Sequence, residues 1–180
     1  MVYVFLANGF EEIEALTPVD VLRRGGVDVV TVGVGGKAVM GSHKIAVAAD
    51  IEDKELVSFE GVEAVVLPGG MPGTLNLEKS SAVQDAIAYC AKNDKFIGAI
   101  CAAPMVLGHA GLLRGKKAIC YPSFEGELTG AEIYDDFVCR DGKIITAQGM
   151  GVSLEFGLEL LKAVRDEAVS EKVRNSLQCR

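Results

Sequence analysis

The residue of this sequence best placed to do chemistry is Cys101. The apolar run Phe96–Ile100 leads directly into it, and small residues and Pro104 follow. A strand that turns sharply into a helix exposes the residue at the turn, and a helix that begins there lowers the pKa of a thiol by favouring its anion. The segment therefore predicts a nucleophilic cysteine, although a small buried core cysteine fits it equally well.

The remaining cysteines lack this context. They are Cys90, Cys120, Cys139 and Cys179. The count of five is odd, no CxxC pair occurs, and only two histidines are available. A disulfide framework and a Cys/His zinc site are therefore poorly supported, and we expect neither a metal nor a cofactor. Reduced thiols fit a cytoplasmic protein.

Two glycine-rich segments differ in what they predict. Leu67–Gly73 directly follows an apolar run, where glycines let backbone N–H groups approach a ligand or form an oxyanion hole. An ordinary turn at the end of a strand is the alternative for this segment. Gly33–Lys37 resembles a phosphate loop only superficially, because the first glycine is missing and Ala38 replaces the required Ser or Thr. We therefore exclude a nucleotide-phosphate loop.

Three glutamates follow the first apolar run. The dipole of a helix favours acidic residues in its first turn, and we expect Glu11 and Glu12 to be solvated there. Glu14 is different, because it lies between Ile13 and Leu16, which are expected to face the core. Of the three glutamates, Glu14 is therefore the candidate for a functional role.

Length and charge limit the class of protein. The 180 residues fit a single domain over 1–180, since domains average about 150 residues. Hydrophobic residues make up 49% and charged residues 24%, which is a globular composition. A net charge of −7 argues against nucleic acid or an anionic membrane as a partner. No apolar run approaches the roughly 18 residues of a spanning helix, and Met1–Leu6 has no basic region or cleavage site of a signal peptide.

Short β-branched runs alternate with helical patterns along the chain. The predicted strands are Val2–Leu6, Val27–Val32, Ala64–Leu67, Phe96–Ile100 and Lys117–Cys120. This alternation implies right-handed βαβ units and a mostly parallel sheet that is covered on both faces. The predicted fold class is α/β, a flavodoxin-like three-layer sandwich with a mostly parallel central sheet.

The sequence marks the ends of predicted helices and strands most clearly in the first helix and in the C-terminal third of the chain. Gly25-Gly26 ends a helix that reaches about Arg24, and Pro18 is expected to kink or restart that helix. Asp141-Gly142, between two apolar runs, predicts a small β-hairpin. A helix over Val152–Val164 and a polar C-terminal helix are expected after it. Because ligands of open α/β sheets bind beyond the carboxyl ends of the strands, the start of the first helix lies where chemistry is expected.

Taken in order, several segments resemble a known superfamily. Ala7–Glu14, Pro18–Arg24, Leu67–Gly70 and Ile100–Pro104 resemble the ThiJ/PfpI superfamily, and Gly149–Phe156 extends the likeness. The resemblance is to the branch of the parkinsonism-associated protein deglycase and its bacterial chaperone relatives. It covers nearly the whole chain.

The resemblance implies a role for four residues. Cys101 matches the oxidisable nucleophile, Glu14 the carboxyl that hydrogen-bonds to it, and Gly70 and Ala102 the amides of the oxyanion pocket. Since a carboxylate would repel a thiolate, Glu14 is then expected to be protonated while Cys101 is held as a thiolate at neutral pH.

The sequence departs from many relatives at Tyr121. Those relatives place a histidine there, in a Thr-His-Pro-like turn, whereas this chain has Cys120-Tyr121-Pro122. A phenol titrates near 10 and is a poor base at neutral pH, which argues against a Cys-His hydrolase and leaves Tyr121 as a candidate substrate-binding residue. His109 is expected to be structural and not to replace that histidine.

The resemblance also implies a homodimer. Gly41-Ser42-His43 falls where relatives carry an arginine-containing loop near the dimer interface. His43 and Arg24 are therefore candidates for contacting the partner's pocket, although an exposed loop histidine is the simpler interpretation of His43.

Three functions are weighed against one another. The leading hypothesis is a cofactor-independent enzyme, of glyoxalase or deglycase type, acting on small α-oxoaldehydes such as methylglyoxal. The alternative is a redox-sensing chaperone that works through oxidation of Cys101. An intracellular cysteine peptidase is the third, and it needs a general base that the sequence does not offer.

Overall fold

The computed structural model describes residues 1–178. The strands are β1 (Val2–Leu6), β2 (Val29–Gly33), β3 (Ala38–Met40), β4 (Ala46–Ala48), β5 (Ile51–Glu52), β6 (Ala64–Leu67), β7 (Phe96–Ile100), β8 (Lys117–Ala118), β9 (Glu132–Ile133), β10 (Val138–Asp141) and β11 (Ile144–Ala147). The helices are α1 (Glu12–Arg24), α2 (Gly73–Lys79), α3 (Ser81–Lys92), α4 (Pro104–His109), α5 (Ser153–Val164) and α6 (Glu167–Ser176). None of the described helices combines the length and the apolarity that crossing a membrane requires.

A seven-stranded sheet forms the centre of the protein, in the order β10-β11-β7-β6-β1-β2-β5. All of its strand pairs are parallel except β10 with β11. The carboxyl ends of β1, β6 and β7 therefore meet at one edge of the sheet, in its middle. The predicted α/β fold with a mostly parallel sheet is confirmed.

The apolar side chains of the sheet are divided between its two faces. Along β1, Tyr3 and Phe5 pack with α3 and α4, whereas Val2, Val4 and Leu6 pack with α1 and α5. This alternation follows from the two-residue period of a strand. It explains why the central strands are apolar throughout, since both faces are covered.

The strand β2 is displaced from its predicted position. It starts at Val29 and not at Val27, because the Val27 N–H donates to the Leu22 carbonyl oxygen at 3.0 Å and belongs to the end of α1. The strand also extends one residue further than predicted, to Gly33.

The predicted β-hairpin is confirmed, and it affects where the strand predicted at Lys117–Cys120 lies. The hairpin turns at Gly142, whose φ is 62°, and β10 occupies the edge of the sheet beside β11. The predicted strand Lys117–Cys120 therefore does not enter the central sheet. Its first two residues pair with β9, and the Ile119 N–H donates to Thr146 Oγ1 at 3.0 Å instead of joining a ladder.

Of the two expectations for Pro18, a kink or a restart of α1, the restart does not occur. Pro18 lacks the N–H that would bond to the preceding turn, yet the helix is continuous from Glu12 to Arg24. Pro18 is buried, and α5 approaches it closely: a Cβ atom on Gly157 would lie 3.2 Å from Pro18 Cα. The packing of α5 against α1 compensates for the missing hydrogen bond.

The first turn of α1 buries its acids and exposes an apolar residue. Glu12 and Glu14 are 2% and 1% exposed, whereas Ile13 is 46% exposed and Leu16 only partly buried. The expectations of a solvated Glu12 and an inward-facing Ile13 are therefore wrong. The reason is that both carboxyl groups find hydrogen-bond donors in the loops around the sheet edge.

Replacing Gly157 with leucine is expected to lower the free energy of unfolding by about 1–3 kcal/mol, since the added side chain overpacks the contact between α1 and α5. A Cβ atom at Gly157 already lies 3.2 Å from Val21 Cβ. Equilibrium unfolding in denaturant measures the effect. Gly126→Ala is the control, because a Cβ there meets nothing within 4 Å. Wild-type stability of Gly157→Leu would contradict the close contact.

Candidate active site

Cys101 lies in a sharp turn between β7 and α4. Its φ of 63° is in the left-handed region, which a non-glycine residue adopts rarely and which is frequent at functional sites. The Cys101 N–H donates to the Ala147 carbonyl at 2.9 Å, and its carbonyl accepts the Tyr121 N–H at 2.8 Å. These two hydrogen bonds fix the backbone, and the side chain remains half-buried at the edge of the sheet.

Glu14 reaches the same place from the first turn of α1. Its Oε2 accepts the Gly69 N–H at 3.0 Å, and its carboxyl group hydrogen-bonds to the Cys101 side chain. A Cβ atom on Gly69 would lie 2.6 Å from Glu14 Oε2 and 2.7 Å from Cys101 Cβ. The contact between the carboxyl and the thiol therefore requires glycine at position 69, a requirement that the sequence did not reveal.

Burial determines the protonation of this pair. Desolvation raises the pKa of Glu14 from 4.5 to about 7 despite its hydrogen bond with Cys101. Desolvation, together with the charge of Glu14, raises the pKa of Cys101 to about 12. Burial therefore opposes the thiolate that is expected at neutral pH. The burial of both groups favours a neutral thiol beside a carboxyl group that titrates near neutral pH.

Two backbone amides face the sulfur of Cys101. The N–H groups of Gly70 and Ala102 donate to the Cys101 side chain and oppose the rise of its pKa. Gly70 has a φ of 88°, and a Cβ there would lie 2.4 Å from the Glu11 nitrogen, so the loop takes this course only with glycine. An anion that forms at the sulfur, or on an atom bonded to it, meets two N–H donors here.

The turn before α5 closes another side of the site. The Met150 N–H donates to the Glu14 carboxyl group. A Cβ atom on Gly149 would lie 3.3 Å from Tyr121 Cδ2 and 3.9 Å from Glu14 Oε1. Tyr121 thus lies beside the pair, as the resemblance implies. Sequence reasoning missed Gly149 and Met150 as neighbours of Glu14, although their segment belongs to the resemblance.

The arrangement of these residues can be compared with known proteins. Residues 1–163 match the sequence profile described as the DJ-1/PfpI family. The chain therefore belongs to the DJ-1/PfpI family. It is 36% identical over 177 residues to Protein dj-1beta of Drosophila melanogaster, covering 97% of this chain and 94% of that protein. It is 32% identical over 178 residues to the Parkinson disease protein 7 homolog of Danio rerio, with coverage of 97% and 94%.

Solved structures of the DJ-1/PfpI family superpose closely on this one. Oxidized DJ-1 of Toxoplasma gondii has a TM-score of 0.93 at 33% identity, covering 98% of this chain and 96% of that chain. The crystal structure of DJ-1beta from Drosophila melanogaster has a TM-score of 0.93 at 33% identity, covering 99% and 97%. The predicted superfamily and fold are both confirmed.

A second carboxylate of this DJ-1/PfpI chain fastens a loop to α1. Glu12 accepts the His43 N–H at 2.8 Å, and its other oxygen lies 2.9 Å from His43 Nδ1. Burial alone would raise the pKa of Glu12, but hydrogen bonds from His43 and Ile45 outweigh it and hold this pKa below its usual value. His43 is thus an exposed loop histidine, as expected, and it also has a defined partner.

Within residues 1–178, one group of side chains has the types and spacing of a metal site. Glu11, Glu12 and His43 each offer one ligand atom, all within 4.8 Å of one another. All three have structural roles, since Glu11 caps α1 by accepting the Glu14 N–H at 2.8 Å and Glu12 holds His43. This DJ-1/PfpI chain therefore uses the group to shape the start of α1.

The other candidate residues lie away from Cys101. His109 ends α4 between Glu78 and Glu127, with nitrogen-to-oxygen distances of 2.5 and 2.8 Å, which fits its expected structural role. Arg24 lies at the opposite end of α1 from Glu14, about 15 Å along the helix, and pairs with Asp20 at 2.6 Å. The structure does not bring Arg24 to the pocket of its own chain.

The remaining cysteines have the surroundings expected of structural residues. Cys90, Cys120 and Cys139 are buried, and desolvation raises the pKa of each. Cys179 lies outside the described residues. Within the described part of the chain, Cys101 is the cysteine whose side chain is accessible at a site.

Glu14→Gln is expected to change how stability depends on pH. The folded protein binds a proton on Glu14 up to about pH 7, whereas the unfolded chain releases it near 4.5, so wild-type stability falls as the pH rises between these values. The variant lacks this loss, which is on the order of 2–3 kcal/mol. Denaturant unfolding at about pH 4.5 and about pH 8 measures it.

The exposed variant Glu60→Gln is the control for that measurement, and it is expected to follow the wild type at both pH values. Parallel pH dependence of the wild type and Glu14→Gln would contradict a raised pKa for Glu14.

Proposed function

We propose that this DJ-1/PfpI protein is a cofactor-independent enzyme that converts α-oxoaldehydes into 2-hydroxy acids, with lactate as the product from methylglyoxal. The observation that carries this proposal is the pair of Glu14 and Cys101. The Glu14 carboxyl group, with a pKa of about 7, hydrogen-bonds to a thiol that faces two backbone N–H donors. The same chemistry on early glycation adducts would appear as protein deglycation.

The first step is addition of the thiol to the aldehyde. The Cys101 sulfur forms a bond to the aldehyde carbon, the carbonyl π bond breaks, and the thiol proton passes to the Glu14 carboxylate. The new oxyanion is held by the Gly70 and Ala102 amides and takes a proton from Glu14. Because burial raises the pKa of the thiol, Glu14 acts as the adjacent base that takes the thiol proton as the carbon–sulfur bond forms.

The second step moves hydrogen within the adduct. The Glu14 carboxylate removes the proton on the carbon bonded to sulfur and returns it to the neighbouring keto carbon, through an enediol. The hydroxyl proton on the first carbon passes to the oxygen of the second. The first carbon is thereby oxidised to a thioester and the second reduced to an alcohol, so no external oxidant or reductant is needed. Water then attacks the thioester, the carbon–sulfur bond breaks, and the acid leaves with the thiol restored. One carboxyl group with a pKa near 7 serves as both acid and base.

A homodimer in the cytoplasm belongs to the proposal. The dimer is supported by exposed apolar side chains at Ile13 on α1, at Met40 at the end of β3 and at Ile45 in the loop that follows. Contiguous exposed apolar surface marks interaction sites. On this proposal His43 and Arg24 lie near the partner's pocket.

Turnover of methylglyoxal is expected to depend on both members of the pair. Cys101→Ser abolishes the formation of lactate, and Glu14→Gln lowers kcat by about 100-fold or more because general acid–base catalysis is lost. The wild-type kcat/KM is expected to rise with pH through about 7, as Glu14 becomes the base. Lactate is measured enzymatically with a metal chelator present.

Cys139→Ser is the matched control, because it removes a buried thiol outside the site and is expected to retain turnover. Lactate formation at the wild-type rate in Cys101→Ser or Glu14→Gln would overturn the mechanism.

The alternative function is redox sensing by Cys101, with the dimer acting as a chaperone. It is favoured by the accessibility of Cys101, in contrast to the buried Cys90, Cys120 and Cys139. The Toxoplasma gondii relative is described as oxidized. A sulfinate at Cys101 would meet the Gly70 and Ala102 amides and would accept a hydrogen bond from protonated Glu14.

Mild peroxide is expected to add two oxygen atoms to Cys101 before it modifies any other cysteine. Peptide mass spectrometry over a time course identifies the modified residue. Glu14→Gln is the informative variant, because it removes the acid whose hydrogen bond stabilises the sulfinate. Oxidation of Cys90 or Cys139 ahead of Cys101 would remove the support for redox sensing.

A peptidase function receives less support. Within the described residues, both histidines have carboxylate partners: His43 bonds to Glu12, and His109 to Glu78 and Glu127. Tyr121 lies where a histidine base would be needed.

A further inference from the structure

An apolar groove opens directly from the site. We define it by Tyr121, Pro122, Phe137, Gly149, Met150 and Val152, and its volume is about 470 Å³. Its large side chains are exposed by 50% at Tyr121, 59% at Phe137 and 53% at Met150. Exposed apolar side chains gathered in one concavity indicate a binding surface.

The groove adjoins the reacting pair. The Tyr121 N–H bonds to the Cys101 carbonyl at 2.8 Å, and the Met150 N–H donates to the Glu14 carboxyl group. Between them lies Gly149, where a Cβ atom would come within 3.3 Å of the Tyr121 ring and 3.9 Å of Glu14 Oε1. A side chain at Gly149 would occupy the narrow space between the pair and the groove.

The positions of the reacting groups determine where the rest of a substrate extends. In an α-oxoaldehyde R–CO–CHO, the aldehyde carbon lies at the Cys101 sulfur and its oxygen at the Gly70 and Ala102 amides. The keto carbon must then remain beside Glu14, which delivers the proton to it. From this position the substituent R can extend past Gly149 towards the groove.

The lining of the groove identifies the chemistry of R. No residue that lines the groove carries a charge: the only polar side chains are the Tyr121 hydroxyl and the Gln148 amide. A phosphate or an ammonium group on R would lose hydration there without gaining a partner. An aryl or branched alkyl group is complementary to the rings of Tyr121 and Phe137 and to Met150.

We propose that the apolar groove binds the substituent of the α-oxoaldehyde, and that the preferred substrates are neutral aryl and branched-alkyl glyoxals in place of methylglyoxal. This inference rests on the function proposed above and narrows its substrate class. Phe137 and Gly149 are then specificity-determining residues, the first as a wall of the groove and the second as its entrance.

The test compares phenylglyoxal with methylglyoxal. We expect the wild-type kcat/KM for phenylglyoxal to exceed that for methylglyoxal by about tenfold or more, since each added carbon in an apolar pocket contributes to discrimination. Phe137→Ser is expected to lower this ratio about tenfold, mostly through the KM of phenylglyoxal. Gly149→Ala is expected to lower it as well, by narrowing the passage.

Val57→Ser is the matched control. Val57 is an exposed apolar residue outside the groove, 95% exposed, and its replacement is expected to leave both substrates unaffected. The inference is overturned, and the proposed function left intact, if methylglyoxal is turned over but neither Phe137→Ser nor Gly149→Ala lowers the ratio of kcat/KM for phenylglyoxal to that for methylglyoxal. A ratio that stays unchanged while Phe137→Ser dissociates a dimer in sedimentation would assign the groove to a second copy, which also overturns it.

Failure of the proposed function is recognised separately. If the wild type consumes neither aldehyde, that function is wrong. Binding of the unreactive aryl ketone acetophenone then tests whether the groove binds an aryl group. A dissociation constant that Phe137→Ser raises about fivefold or more supports an aryl-binding groove, and equal constants in the two proteins overturn it.

Discussion

The burial of the Glu14 carboxyl group against Cys101 is the constraint on which this site depends. A carboxyl group that is 1% exposed is stable only if it keeps a proton or gains donors, and this one has the amides of Gly69 and Met150 and the thiol as neighbours. The contact leaves no room for a side chain at Gly69. Burial raises the pKa of both groups, and it brings the titration of Glu14 near neutral pH beside the sulfur.

The order of the strands brings Glu14, the glycine loop and Cys101 to the same edge of the sheet. The strands β1, β6 and β7 are neighbours and parallel, so the chain leaves all three at the same edge. The segment after β1 leads to the start of α1 with Glu14. The segment after β6 is the glycine loop with Gly69 and Gly70, and the residue after β7 is Cys101. A crevice beyond the carboxyl ends of parallel strands is where such folds bind ligands. Here the segments that follow three neighbouring strands line the crevice.

The fold and the principal site residues could be predicted from the sequence, whereas the environment of each residue could not. Alternating apolar runs determine the strands and the parallel sheet, and the turn after β7 indicates Cys101. The inward direction of α1 was predicted wrongly, because the helical period of Ile13 and Leu16 contains no information about donors that arrive from residues 43 and 69. The predicted thiolate is opposed for a similar reason: a helix begins after Cys101, but burial beside Glu14 raises the pKa of the thiol.

Glu12 and Glu14 show how two carboxyl groups on one helical turn acquire opposite roles. Desolvation raises the pKa of each and acts most strongly on Glu14, whose carboxyl group lies deeper, while hydrogen bonds oppose it. Glu12 receives hydrogen bonds from the backbone and the side chain of His43, and its pKa falls below the usual value, so it remains an anion that fastens a loop. Glu14 receives weaker compensation and its pKa rises to about 7, which places its proton transfer near neutral pH. Divergent pKa values of neighbouring carboxyl groups are typical of acid–base sites, and on the proposed function the group that exchanges protons is Glu14, which faces the sulfur.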